Sequence, residues 1–184
     1  FESLDIESNK IFIVFNTLDE IMHTKNIKRC LPEVNNIKHL LNIEQQPVVV
    51  FCGTINKGKK VDLLIKSFNL FRSDCLAKDP RLIVIGDGIE LDSCKNLAAN
   101  MGLNNCIHFV GRQEEMSSAY LMVGDVAVLP GLGGLAINHA FIHSLPVISG
   151  PADGCEKDLI ENGKTGVLME IVDEATLFNA MKHI

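Results

Sequence analysis

The sequence predicts an α/β fold, a doubly wound parallel sheet of Rossmann-like type with helices on both faces. Three observations carry the prediction. Short apolar runs of strand length alternate with segments whose apolar residues recur at helical spacing. Glycine-containing links separate the two kinds of segment, as in successive βαβ units. A length of 184 residues, with 47% hydrophobic and 22% charged side chains, supplies apolar material for one packed domain.

Taken in order, residues 10–16 read as a strand, while residues 21–41 look polar and irregular, with Pro32 and the Asn35-Asn36 pair inside them. Residues 1–46 are therefore expected to be a linker with a docked strand, carried over from the end of a preceding N-terminal half. Residues 47–184 are expected to form the Rossmann-like domain. Its first strand is the apolar run 47–53, followed by a helix over 61–75 that repeats Val61, Leu64, Ile65, Phe68 and Phe71 on one face. Strand and helix recur at 81–86 with 91–101, 106–111 with 114–123, and 125–130 with 135–143. Two further pairs, 146–149 with 156–161 and 166–169 with 173–184, close the series.

Composition narrows the function. A net charge of −6 and scattered basic residues argue against a nucleic-acid face, which needs clustered Lys and Arg. No apolar run approaches the ~20 residues of a membrane span, and no signal-peptide pattern opens the chain, so a cytoplasmic protein is expected. None of the six cysteines has zinc-ribbon or redox-motif spacing, which points to free thiols in a reducing compartment. Cys52 and Cys106 read as small buried apolar residues. Because the chain opens on Phe1 and stops within a helical segment, it is expected to be part of something longer.

The chemistry-bearing residues gather where strands end. Gly131-Leu132-Gly133-Gly134-Leu135 follows an apolar strand and opens a helix, where uncapped amides and the helix dipole can hold a phosphate. Between the first core strand and its helix, Gly53-Thr54-Ile55-Asn56-Lys57-Gly58-Lys59-Lys60 matches the glycine and lysine spacing of a phosphate-binding loop. Lys60, however, stands where Ser or Thr would hold magnesium, so an ATP-magnesium enzyme is disfavoured. Gly86-Asp87-Gly88 ends another strand, but Leu91 replaces the third glycine of a dinucleotide fingerprint. Gly111-Arg112 ends a fourth. Each reads alone as a tight turn or a surface residue, yet all four fall on one edge of the predicted sheet. His139 and His143 sit four apart on one helix without a third ligand, and no metal or cofactor is expected.

The order of Gly53 with Lys59 and Val61-Asp62-Leu63-Leu64, then Leu82-Ile83-Val84-Ile85-Gly86-Asp87-Gly88, His108-Phe109-Val110-Gly111, Asp125 to Pro130, Pro146-Val147-Ile148 and Asn162-Gly163-Lys164-Thr165-Gly166 resembles the C-terminal domain of family 4 (group 1) glycosyltransferases. Asn16-Thr17 is similar to the Asn-Gly pair that precedes that domain. The resemblance implies one half of a GT-B fold, the half that binds a nucleoside diphosphate sugar. It implies a retaining, hexosyltransferase-type reaction in polysaccharide biosynthesis. The acceptor, a glycan or lipid-linked sugar, would be held by the missing N-terminal domain, so the isolated domain is expected to be inactive. Peripheral contact of the full-length protein with the inner membrane face is a further expectation.

By the same resemblance, Lys59 is the lysine that neutralises the donor diphosphate. Gly53, Thr54, Gly86, Asp87, Gly88, Gly111, Arg112, Gly131, Gly133, Gly134 and Leu135 line the donor site. The sequence departs from the pattern in three places. Thr54 stands where the family usually has Arg, and Gly131 and His139 occupy the two positions of its Glu-x7-Glu motif. His139 is expected to bind ribose hydroxyls as a neutral imidazole, and Glu156 or Asp158 to cap the helix that follows them. These departures keep open a non-catalytic, regulatory nucleotide-binding module, or a sugar-nucleotide epimerase of the same fold.

Overall fold

A computed structural model of the protein describes residues 7–12, 17–75, 78–151 and 154–182. Six parallel strands, β1 (Val48–Cys52), β2 (Arg81–Ile85), β3 (Ile107–Gly111), β4 (Val126–Leu129), β5 (Val147–Ser149) and β6 (Gly166–Leu168), form one sheet in the order β3-β2-β1-β4-β5-β6. The strands are rich in Val and Ile, and β1, β2, β4 and β5 are buried along almost their whole length, as a sheet covered on both faces requires. Register is continuous from Val48↔Arg81 to Cys52↔Ile85 on one side of β1, and Val49 faces Val126 on the other. The chain order reverses between β1 and β4. In open α/β sheets, that switch point opens the crevice where ligands bind, beyond the carboxyl ends of the strands.

The helices cover the sheet. α3 (Val61–Asp74) turns Leu64, Ile65, Phe68 and Phe71 inward, each 3% exposed or less. α4 (Leu91–Asn100), α5 (Ser117–Leu121), α6 (Leu135–Ile142), α7 (Cys155–Leu159) and α8 (Glu174–Met181) follow their strands as the periodicity predicts. α8 packs on α3, where Lys182 Nζ pairs with Asp74 at 3.0 Å. Its first turn is closed by a capping box in which the Asp173 carboxylate accepts the Thr176 N–H at 2.8 Å. Of the expected helix at 173–184, residues 183 and 184 lie outside the described residues.

Residues 21–41 correct the expectation of an irregular linker. They contain most of α1 (Glu20–Cys30), started by Asp19 accepting the Met22 N–H at 2.9 Å, and α2 (Val34–Leu40). Both belong to the packed body: Cys30, Ile37, Leu41 and Ile43 are buried in the same core as the strands. The Cys30 thiol donates to the Glu115 carbonyl at 3.2 Å. Only a narrow stripe of each helix faces inward, so the sequence reads as polar. The strand expected at 10–16 is not seen at its start: Ser8–Lys10 is a 3-10 turn, and Ile11 and Phe12 are exposed and outside any strand. Residues 13–16, with Asn16 of the Asn-Thr pair, lie outside the described residues.

Candidate functional site at the carboxyl rim of the sheet

Three loops interlock beyond the carboxyl ends of β1, β2 and β3. Backbone bonds tie them: the Gly53 N–H donates to the Ile85 carbonyl at 3.0 Å, Ile55 to Asp87 at 2.9 Å, and Gly86 to Gly111 at 2.9 Å. The glycines let the chains touch. A methyl group at Gly86 would overlap the Gly53 carbonyl oxygen, and one at Gly88 that of Ile55. These close approaches give Gly86 and Gly88 a packing role in addition to any contact with a ligand.

The loops enclose a cleft of about 540 Å3, lined by Cys52, Gly53, Thr54, Ile85, Gly86, Asp87, Gly88, Arg112 and Gln113. Six of the residues singled out in the sequence, Gly53, Thr54, Gly86, Asp87, Gly88 and Arg112, thus share one space. Gly111, at the end of β3, anchors the floor through its carbonyl. The Arg112 guanidinium is exposed and pairs with Glu114 at 2.9 Å. The Asp87 carboxylate accepts the Gly88 N–H at 2.7 Å. Burial pushes the Cys52 thiol up to about 11, which leaves it protonated and unreactive at neutral pH.

Lys59 joins this cleft to the turn after β4. Asn56 starts a 3-10 turn, Lys57–Lys59, by accepting the Lys59 N–H at 3.2 Å, and Lys60 then adopts the left-handed conformation (φ 53°) that leads into α3. The Lys59 stem passes Gly53, and its Nζ donates to the Leu132 carbonyl and stands 3.4 Å from the Gly133 carbonyl. Loops from either side of the switch point therefore meet at one ammonium group.

The turn itself is held by contact. Gly131 lies directly on the β1–α3 loop: a methyl group there would overlap the Gly58 carbonyl oxygen and stand 2.9 Å from the carbonyl carbons of Gly58 and Lys59. Gly134, at φ 58°, precedes α6, and no side chain caps that helix. The Ile137 N–H donates to the Gly134 carbonyl at 3.2 Å, while the amides of Leu135 and Ala136, in the first turn of α6, have no acceptor within the helix. Gly133 corrects the sequence reading. Its N–H does not face the rim but donates to the buried Glu156 carboxylate at 3.0 Å.

A profile of the family described as "Glycosyl transferases group 1" matches residues 46–184. The chain belongs to this family. Among curated relatives, it is 25% identical over 171 residues to the N-acetyl-alpha-D-glucosaminyl L-malate synthase of Bacillus anthracis, an alignment that takes in 91% of this chain and 42% of that protein. Among solved structures, HepE from Anabaena in complex with UDP and glucose superposes with a TM-score of 0.78 at 18% identity, over 100% of this chain and 49% of that one. A glycosyltransferase from Rickettsia africae gives 0.79 at 14% identity, over 97% and 48%. At these identities the structural likeness concerns the fold, the Rossmann-like unit of GT-B proteins. The chain spans about half the length of these relatives.

Within the group 1 frame, the two departures at the acidic positions have visible consequences. Gly131 has no space for any side chain. His139 is half-buried and absent from the walls of the cleft; its ring packs edge-on against His23 of α1, with centroids 4.8 Å apart. Burial, reinforced by His23 and His143, lowers the His139 pKa from its ordinary value and favours the neutral ring. The His143 Nδ1 lies 2.7 Å from the His139 carbonyl. No group of three His, Cys, Asp or Glu side chains suited to a metal occurs among the described residues, and no helix among them is long and apolar enough to cross a membrane.

Sequence reasoning missed Gln113 in the cleft, His23 beside His139, and the reach of Glu156. The cap expected of Glu156 or Asp158 is not seen: both lie inside α7, whose N-cap is Gly154 with no side-chain cap, and the Glu156 Oε2 instead accepts the Gly154 N–H at 3.2 Å. The other oxygen crosses to Gly133, a pairing across 23 residues with no local signature.

Proposed function

We propose that this chain is the donor-binding half of a retaining glycosyltransferase, taking a nucleoside diphosphate sugar and passing the sugar to a glycan or lipid-linked acceptor presented by a second domain. The observation that carries the reading is the meeting of Lys59 with the 131–134 turn at the switch point. In this reading, base and ribose occupy the cleft between Gly53, Gly86 and Arg112. The diphosphate reaches toward Lys59 and the first amides of α6. The ammonium and the helix dipole would oppose the charge that builds on the leaving diphosphate as the glycosidic bond breaks, which requires no metal. UDP is the first nucleotide to test, because HepE structures carry UDP or UDP-glucose. We place the reaction on the cytoplasmic side of the membrane.

Calorimetry of the chain with UDP, GDP and ADP, each with and without EDTA, tests the reading. One diphosphate should bind and raise the melting temperature, with EDTA leaving affinity unchanged. Lys59→Ala should weaken that binding by about ten-fold or more, the scale of a charge-assisted hydrogen bond, and abolish transfer by the protein carrying both halves. A response only to ATP with magnesium would restore the phosphate-loop reading. The absence of room for an acidic side chain at position 131 favours one second reading, a nucleotide-binding module without turnover. It predicts diphosphate binding with neither transfer nor donor hydrolysis.

A further inference from the structure

We infer that Glu156 is a positioning residue of the donor site, a buried carboxylate that holds the 131–134 turn in the form Lys59 requires. The inference rests on the donor-site reading above. Glu156 lies in the first turn of α7 and is 0% exposed. Its Oε1 accepts the Gly133 N–H at 3.0 Å and its Oε2 the Gly154 N–H at 3.2 Å. A carboxylate taken out of water needs such donors, and backbone amides supply them without adding a cation. The carbonyl of the same Gly133 faces the Lys59 ammonium at 3.4 Å. One short relay, from Gly154 through Glu156 and Gly133 to Lys59, thus ties the loops that follow β5, β4 and β1.

The packing around Gly133 leaves the relay little freedom. A methyl group on Gly133 would stand 2.6 Å from Ile137 Cδ1 and 3.0 Å from Glu156 Oε1, so the turn is seated directly on α6 and on the carboxylate. The peptide that joins Leu132 to Gly133 is held at both edges: its N–H is committed inward to Glu156, and its carbonyl, that of Leu132, accepts from Lys59. Losing the carboxylate frees this peptide to rotate. The Leu132 carbonyl then leaves the ammonium, and the cation is no longer fixed for the diphosphate.

The relay concerns the diphosphate and not the nucleoside, so affinities for UDP and UMP separate it from a purely structural role. For the wild-type chain, Glu156→Gln and Glu156→Asp, both nucleotides are titrated calorimetrically. Glutamine keeps one acceptor but turns a donor toward an N–H, and aspartate is one methylene too short. Both variants should lose about five-fold or more in UDP affinity, hold UMP within about two-fold, and lose nothing further when placed on Lys59→Met. Equal losses for UDP and UMP, or no loss, overturn the inference while the donor reading stands. A wild-type chain that binds none of UDP, GDP and ADP overturns both. Where a variant does not melt cooperatively, amide exchange of the wild type decides. A Gly133 N–H protected without ligand and unchanged by UDP, with Gly134 and Leu135 slowed by UDP, supports the relay. A Gly133 N–H that exchanges freely and is slowed by UDP overturns it.

Discussion

Restoring an acidic residue at position 131 should damage this protein. The family pattern has Glu there, so Gly131→Glu looks like a repair, but the structure argues otherwise. A single methyl group at Gly131 would overlap the Gly58 carbonyl oxygen and press on the carbonyl carbons of Gly58 and Lys59 at 2.9 Å. Carbon atoms pack comfortably at about 3.5–4.0 Å, so the two loops must part by roughly an ångström, and the neighbours are backbone that cannot swing aside. Overpacking of this kind costs about 1–3 kcal/mol. For a chain of this length, each kcal/mol lowers the melting temperature by roughly 2–4 °C, giving an expected fall of about 2–12 °C for Gly131→Ala and at least as much for Gly131→Glu. Parting the loops also draws Lys59 away from the Leu132 carbonyl, so UDP affinity should fall with stability. Gly102→Ala is the control. It sits at φ 71° with open space around it, so its left-handed backbone penalty of about 1–2 kcal/mol should leave UDP affinity intact. Thermal melts and calorimetry on the three variants suffice. A Gly131→Ala protein that melts within about 1 °C of wild type and binds UDP normally would refute the contact argument.

Two further outcomes follow from buried groups. Burial lowers the pKa values of His108, His139 and His143 in the folded state. Between those lowered values and the ordinary ~6.5 the unfolded chain binds more protons, so stability is full above about pH 6.5 and declines as pH falls through the folded values. Urea midpoints should drop from pH 7.5 to 5.5, with a shallower drop for His143→Phe; a midpoint that holds or rises on acidification contradicts this. At the amino end of the sheet, the Asp125 carboxylate accepts the Val48 N–H at 2.8 Å. Asp125→Ala strands that buried amide and should cost about 1–3 kcal/mol, whereas Asp125→Asn keeps an acceptor and most of the stability. Equal urea midpoints for the two variants would show that the bond contributes nothing.

The sheet was legible because each of its strands announces itself locally. Runs such as Val48 to Cys52 and Leu82 to Ile85 are apolar throughout, and the helices between them repeat on one face, so the core elements start and stop close to where the pattern places them. α1 and α2 were not legible. His23, Cys30 and Ile37 are the residues they bury, too sparse a stripe to stand out among Lys, Asn and Glu. At the site, glycine marks the strand ends in the sequence, but which glycine touches which loop is a property of the tertiary fold. The Gly58–Gly131 contact spans 73 residues, and the Gly133–Glu156 bond 23. Periodicity carries no information about either.

On the proposed donor reading, with Thr54 in place of arginine, Lys59 carries much of the electrostatic work toward the diphosphate. Its ammonium is oriented by the carbonyls of Leu132 and Gly133, which are dipoles without net charge. Carbonyls fix the geometry while leaving the positive charge uncompensated, whereas a carboxylate at the same place would neutralise the lysine and compete with the arriving phosphate. The nearby carboxylate that the fold does contain, Glu156, is turned onto two amides behind the turn and withdrawn from solvent. An acid introduced at position 131 would reverse that separation. It would set a negative charge against the cation at the rim, and its harm to diphosphate affinity should therefore exceed that of the alanine substitution, which disturbs the packing alone.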